Sequence, residues 1–148
     1  MTSASLRSQE QAAVPKLGGI NHIGLTVPDV EASEAWYARV LGLSRLFVER
    51  HHQGTGHTIV LHRPEAPQFT IGLDRHDANQ GERFDECRTG LDHVAFQVAD
   101  RAELDAWKEH LDREGVPHAG ITERTEPFPY AVLVFRDPDN IQLELIWY

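Results

Sequence analysis

Gly19-Ile20-Asn21-His22-Ile23-Gly24-Leu25-Thr26-Val27 returns as Gly90-Leu91-Asp92-His93-Val94-Ala95-Phe96-Gln97-Val98, 71 residues further along the chain. The register holds beyond these stretches, pairing Asp29 with Asp100, Ala35 with Ala106 and Trp36 with Trp107. So regular an offset implies internal duplication. Each histidine opens a run of alternating polarity, the pattern of a half-buried strand. Two equivalent strands then carry imidazoles at equivalent places, and a pseudo-twofold between the halves can bring them together as a metal site requires.

Outward from the first copy, Pro28-Asp29 ends the strand, and Ala32, Ala35, Trp36, Val40 and Leu41 recur at helical spacing until Gly42. Strands follow at 43–49, 57–62 and 68–73, so the first half reads β-α-β-β-β. The second half repeats it with a strand at 91–98, a helix at 101–114 stopped by Gly115, and strands near 118–123, 130–135 and 141–147. Trp36 and Trp107 fall on the apolar stripes of matching helices and read as core. Residues 1–16, rich in Ser and Gln, read as a mobile N-terminal arm. The domain spans 17–148, with modules at about 17–74 and 90–148. The polar stretch 75–89 links them.

The 148 residues, 41% of them hydrophobic, suit one ordinary core. A formal charge of -9 and a pI near 5.4 disfavour nucleic acid and anionic membrane surfaces. No run is apolar and long enough for a spanning helix, and a single cysteine, Cys87, allows no intrachain disulfide. A cytoplasmic location is expected. Cys87 lies in the polar stretch Phe84-Asp85-Glu86-Cys87-Arg88 without a catalytic neighbour, so no nucleophilic role is expected for it.

Near the C-terminus, Asp137-Pro138-Asp139-Asn140 is a turn, with Pro138 presetting its own φ and Asn140 suited to the left-handed region. Arg136 and Asp137 are expected to serve it. In the strand that follows, Leu143 and Leu145 alternate with Glu144, which lies on the face opposite the apolar row. A carboxylate there needs a partner, and a metal ion shared with His22 and His93 would be one. The strand that ends the first half matches at an offset of 72 and puts Gly72 opposite Glu144. Three ligands with open positions describe a catalytic metal site, and two histidines with one carboxylate form the set associated with non-haem Fe(II). Asp74 shares a face with Gly72 and reaches the site if the strand bends. His62 and His76 are the reserve ligands, whereas His51, His52, His57 and His110 read as loop or solvent-face residues.

These features together resemble the vicinal oxygen chelate superfamily, the glyoxalase, bleomycin resistance and extradiol dioxygenase group. The resemblance covers about residues 17–148 and rests on the two histidine phrases, Trp36-Tyr37 with Leu41-Gly42-Leu43, and the Asp137-Pro138-Asp139 turn with Glu144. It implies an α+β fold of two tandem βαβββ modules whose curled sheets form a cleft. It also implies a divalent metal ion (Fe, Mn, Zn or Ni) held by His22, His93 and Glu144. Glyoxalase I uses an acidic ligand where Gly72 stands, and fosfomycin transferases need a cationic pocket that the four residues after Glu144 do not supply. Extradiol dioxygenases match the ligand set best and add a histidine and a tyrosine for proton handling. His118 and Tyr130 are the residues of those types, although their spacing to Glu144 departs from the family pattern.

Two functions follow. One is a metal-dependent enzyme that chelates vicinal oxygens of a small organic substrate, dioxygenase-like or lyase/isomerase-like, with Tyr130 and His118 as proton-handling residues. The other is a drug-sequestering protein of the bleomycin-resistance type, whose cleft encloses an apolar or cationic ligand. Retention of all three ligand positions favours the enzyme, and net negative charge favours the sequestering reading. The expected cleft walls are 45–52, 118–130 and the linker. Neither half can bury its sheet alone, so the modules pair within one chain or between two, and a homodimer is expected.

Overall fold

The computed structural model describes residues 14–148. The expected N-terminal arm lies outside the described residues except for 14–16, which are exposed and irregular. The first module runs β1 (His22–Thr26), α1 (Val30–Leu41), β2 (Ser44–Arg50), β3 (Gly56–Arg63) and β4 (Ala66–His76). The second runs β5 (Val94–Gln97), α2 (Arg101–Arg113), β6 (His118–Arg124), β7 (Tyr130–Arg136) and β8 (Gln142–Trp147). Each forms a four-stranded sheet, in the orders β1-β4-β3-β2 and β5-β8-β7-β6. The first and last strands of each module pair in parallel and the others antiparallel. The α+β fold of two βαβββ modules with curled sheets is as expected.

The duplicated aspartates have one structural reason. Asp29 caps α1 by accepting from Ala32 N at 2.9 Å, and Asp100 caps α2 by accepting from Glu103 N at 2.8 Å. Gly42 closes α1 in the left-handed conformation that a side chain would resist. Element ends differ from expectation where pairing decides them. Strand β4 continues to His76 because its antiparallel ladder with β3 runs on to Gly56, which brings Asp74 and Arg75 into the sheet. Strand β5 begins only at Val94, leaving His93 just before it.

Leu25, Ile59, Leu61, Ile71 and Leu73 of the first sheet and Leu133, Phe135, Leu143 and Leu145 of the second are buried in a single core. Both helices lie in that core between the sheets. Trp36 of α1 stacks on Phe135 of β7 with ring centroids 6.4 Å apart, and Phe69 meets Phe96 at 5.5 Å. Trp36 and Trp107 prove half-buried at its margin, and Tyr37 is the fully buried aromatic of α1. Its hydroxyl donates to Asp137 Oδ2 at 3.0 Å, while Asp137 Oδ1 accepts from the backbone of Asp139 and Ile141. Asp137 therefore holds the expected turn, with Asn140 at φ 74°, and also ties it to the other module.

The two sheets thus turn their helix-covered faces toward one another and their open faces outward. A single chain therefore carries two separate open faces. Among the described residues no helix is long and apolar enough to cross a membrane.

Candidate metal centre

On the second module's open face, Glu144 lies beside Ala95 of β5 and Val134 of β7. The alternation of β8 buries Leu143 and Leu145 on the other face and leaves Glu144 16% exposed. Gln142 Nε2 donates to Glu144 Oε1 at 3.1 Å, and His93 Nε2 stands 3.8 Å from Oε2. His93 Nδ1 is 2.6 Å from Asp92 Oδ1, a contact that leaves Nε2 to face the carboxylate. The hydrogen bond to Asp92 and, after a smaller opposing effect of burial, the charge of Glu144 raise the His93 pKa above the usual imidazole value.

On the first module's open face, His22 occupies the equivalent place. Its Nδ1 is 3.0 Å from Asn21 Oδ1, where Asn21 is the repeat counterpart of Asp92. It lines a cavity of about 430 Å³ together with Gly24, Phe47, Thr58, Gly72 and Asp74. Every one of these belongs to the first module. Gly24 and Gly72 are register partners, so the floor beside His22 has no side chains. The carboxylate of Asp74 overhangs it, with Oδ2 3.0 Å from where a Gly24 Cβ would stand and 3.4 Å from where a Gly72 Cβ would.

The donor set fits a divalent ion. Two ligands each about 2.0–2.2 Å from one ion lie roughly 3–4 Å apart, the separation that His93 and Glu144 hold. A hydrogen-bond acceptor on Nδ1 is the usual means of orienting a ligating imidazole, and both histidines have one. His22 does not meet the His93 and Glu144 pair, and among the described residues no three His, Cys, Asp or Glu side chains converge on a common point.

The proton-handling candidates separate. Tyr130 is on the open face of β7, but four residues from Val134, the partner of Glu144, hence about 13 Å along the strand. His118 pairs with Phe135 and its imidazole turns to the helix side, 3.1 Å from Asp112 Oδ1 and accepting from Gly120 N at 3.0 Å. The structure does not bring His118 to Glu144. Of the reserve histidines, His62 shares the face of His22 through its partner Thr70. His76 is exposed, its ring 4.6 Å from that of His51. His51 lies in the loop just after β2, as expected, and its Nε2 is 3.2 Å from both Thr58 Oγ1 and Asp74 Oδ1. Thr58 faces Asp74 through the register of β3 with β4, which the pattern of neither strand alone displays.

Residues 19–145 match the Glyoxalase/Bleomycin resistance protein/Dioxygenase superfamily. The chain is 30% identical over 139 residues to the Bacillus subtilis protein named "Putative ring-cleaving dioxygenase MhqA", covering 92% of this chain and 42% of that protein. This chain therefore spans less than half the length of that relative. It is 27% identical over 135 residues to the uncharacterized protein YqjT of the same organism, covering 86% of this chain and 97% of YqjT. Among solved structures, a glyoxylase/bleomycin resistance protein/dioxygenase domain from Frankia sp. EAN1pec superposes with a TM-score of 0.76 at 35% identity, covering 88% of this chain and 92% of that one.

Proposed function

The chain belongs to the Glyoxalase/Bleomycin resistance protein/Dioxygenase superfamily, and from that premise we propose that it is a metal-dependent enzyme acting on a small organic substrate through two adjacent oxygens. One observation carries the reading: His93 and Glu144 stand 3.8 Å apart on an open face, with each histidine's Nδ1 tied to the residue before it. A divalent ion bound by these residues supplies Lewis-acid polarisation of the substrate oxygens and, if it is iron, dioxygen chemistry. The likeness to MhqA supports ring cleavage as the finer reading. His93 and Glu144 would hold the ion, and Gln142 fixes the carboxylate's orientation. The cavity beside His22 takes the body of the substrate against Phe47.

The complete site is assigned to a homodimer. Strands β1 and β5 are both sheet edges, and the repeat counterparts Ile20 and Leu91 beside them are exposed at 76% and 37%. Edges of this kind invite pairing with another strand. Docking β1 of one chain beside β5 of its partner buries both residues, turns the open faces toward one another and places His22 next to the partner subunit's copy of the His93 and Glu144 pair.

Elemental analysis tests the triad: wild type is expected to hold about one divalent ion per chain, and His93→Ala and Glu144→Ala to lose it. Equal metal content in all three refutes it. Refolding His22→Ala together with Glu144→Ala protein should restore roughly a quarter of the sites, because half the dimers are mixed and each carries one intact composite site. No recovery would place each site within one chain.

A further inference from the structure

The mechanism so far leaves Asp74, Thr58 and His51 unused, yet they form the most organised polar cluster on the first module's open face. Thr58 Oγ1 donates to Asp74 Oδ1 at 2.5 Å, and His51 Nε2 stands 3.2 Å from the same oxygen. The other carboxylate oxygen, Oδ2, makes no hydrogen bond among the described residues and is directed over Gly24 and Gly72. One oxygen is anchored and the other presented to the cavity that His22 lines. Neither glycine could be replaced without disturbing this: a Cβ at Gly24 meets Oδ2 at 3.0 Å, and one at Gly72 meets Thr58 Cγ2 at 3.0 Å.

The position has a meaning in the duplication. Gly72 is the counterpart of Glu144, and Asp74, two residues on along the same strand face, leans back over the place a side chain at 72 would fill. The cluster also reaches solvent. His51 lines a second cavity of about 450 Å³ with His52, Thr55 and His76, and Thr58 and Glu49 belong to both cavities.

We propose that Asp74 is a proton acceptor for a hydroxyl of the bound substrate, with Thr58 and His51 as its positioning residues. Its Oδ2 is the acceptor atom, and the substrate class is a hydroxylated compound, aromatic or enolic, small enough for the cavity. The step is a proton transfer: the substrate O–H bond breaks, its electron pair stays on the substrate oxygen, and an O–H bond forms at Oδ2. A carboxylate held on one oxygen by a hydroxyl and an imidazole keeps the other oriented without spending substrate contacts on it. His51 stands between the acid so formed and the open second cavity. The assignment rests on the composite metal site proposed above.

The test uses zinc-loaded dimer, in which no oxidation intervenes, and 4-nitrocatechol, whose singly and doubly deprotonated forms absorb differently. At fixed neutral pH, wild type should bind the probe chiefly doubly deprotonated. Asp74→Asn should keep its zinc and its melting temperature, while the rate at which bound probe passes from singly to doubly deprotonated, followed by stopped-flow absorbance, falls by about tenfold or more. Thr58→Val and His51→Gln should fall between. Gly24→Ala, which keeps every residue of the cluster but crowds Oδ2, should also lower the rate. An Asp74→Asn protein that deprotonates bound probe at the wild-type rate overturns the proposal while the metal site stands. Wild type that holds zinc but no probe overturns it too, and wild type without zinc brings down the metal reading itself.

Discussion

The two open faces start from one duplicated plan and have diverged at one slot. Beside His93, the strand that closes the module carries Glu144 between aliphatic neighbours, Ala95 and Val134, with the Gln142 amide on one oxygen. Beside His22, the same slot is Gly72, facing Gly24, and the nearest carboxylate comes from Asp74 with a hydroxyl and an imidazole behind it. The histidine is retained on both faces together with a side-chain oxygen on its Nδ1, supplied by Asn21 in one and Asp92 in the other. The Glu144 carboxylate is flanked by aliphatic side chains and one amide, whereas the Asp74 carboxylate is held by a hydroxyl and an imidazole. The histidine and the oxygen on its Nδ1 recur on both faces, while the position and support of the carboxylate differ.

The sharpest way to break this contrast is to exchange the consequences of the slot. Glu144→Ala is expected to weaken metal binding by about a hundredfold or more, since a ligand is worth more than the roughly 10- to 100-fold of a group that only orients one. Gly72→Ala should change it by less than about threefold, although crowding of Thr58 costs roughly 1 kcal/mol of stability. Competition with a chromogenic chelator measures both. Comparable losses would mean that the faces contribute alike and that the divergence carries no function.

The buried seam is a second asymmetry. Tyr37 is fully buried and bonded to Asp137, whereas its repeat counterpart, Lys108, reaches Asp112 on its own helix at 2.8 Å. Burial, the largest influence on Asp137, raises its pKa to about 6 against the bonds from Ile141 and Tyr37 that lower it. A carboxyl whose folded pKa exceeds its unfolded value stays protonated in the folded chain after the unfolded chain has ionised, so stability falls as pH rises from about 4 to 6. A shift of this size corresponds to about 3 kcal/mol. Denaturant titrations at pH 4 and 7 should therefore show Asp137→Asn gaining on wild type by up to about that amount across the interval. Parallel pH profiles for the two proteins would remove the buried carboxyl as the cause.

How far the sequence could be read follows from what each feature depends on. The modules, both N-caps, the turn at Asn140 and the faces of Glu144 and Gly72 are local: strand parity and a capping aspartate are visible in a few adjacent residues. The relation of the modules is not, because both helices are amphipathic and nothing in their periodicity says whether they pack outside a shared cleft or between two outward-facing sheets. Burial of Tyr37 with Asp137 was hidden for the same reason, since its partner is 100 residues away. His51 lies in a loop as expected, since β2 ends just before it, but its contacts are non-local: only the antiparallel register of β3 with β4 brings Thr58 and Asp74 to its ring. The side to which His118 turns is not legible in the sequence, because the irregular pairing between it and Ile121 makes parity an unsafe guide in β6.

The smallest expected effect concerns the pair behind the imidazoles. Asp92 gives His93 a charged neighbour where Asn21 gives His22 a neutral one, and the hydrogen bond to Asp92 is the largest influence raising the His93 pKa. A protonated imidazole cannot bind metal, so occupancy should be lost as pH falls through that raised pKa, earlier than an unperturbed histidine would lose it. Asp92→Asn makes the second module's histidine resemble the first. Its imidazole becomes less basic, so the pH of half-occupancy should move down, while affinity at pH 8 weakens by roughly tenfold or less through poorer orientation and lower basicity. Metal content measured across a pH series separates these opposing trends. The converse variant, Asn21→Asp, should move half-occupancy upward, provided that His22 is a ligand. No movement in that variant, beside a clear shift in Asp92→Asn, would leave His93 and Glu144 holding the ion without His22 and confine the metal to one face.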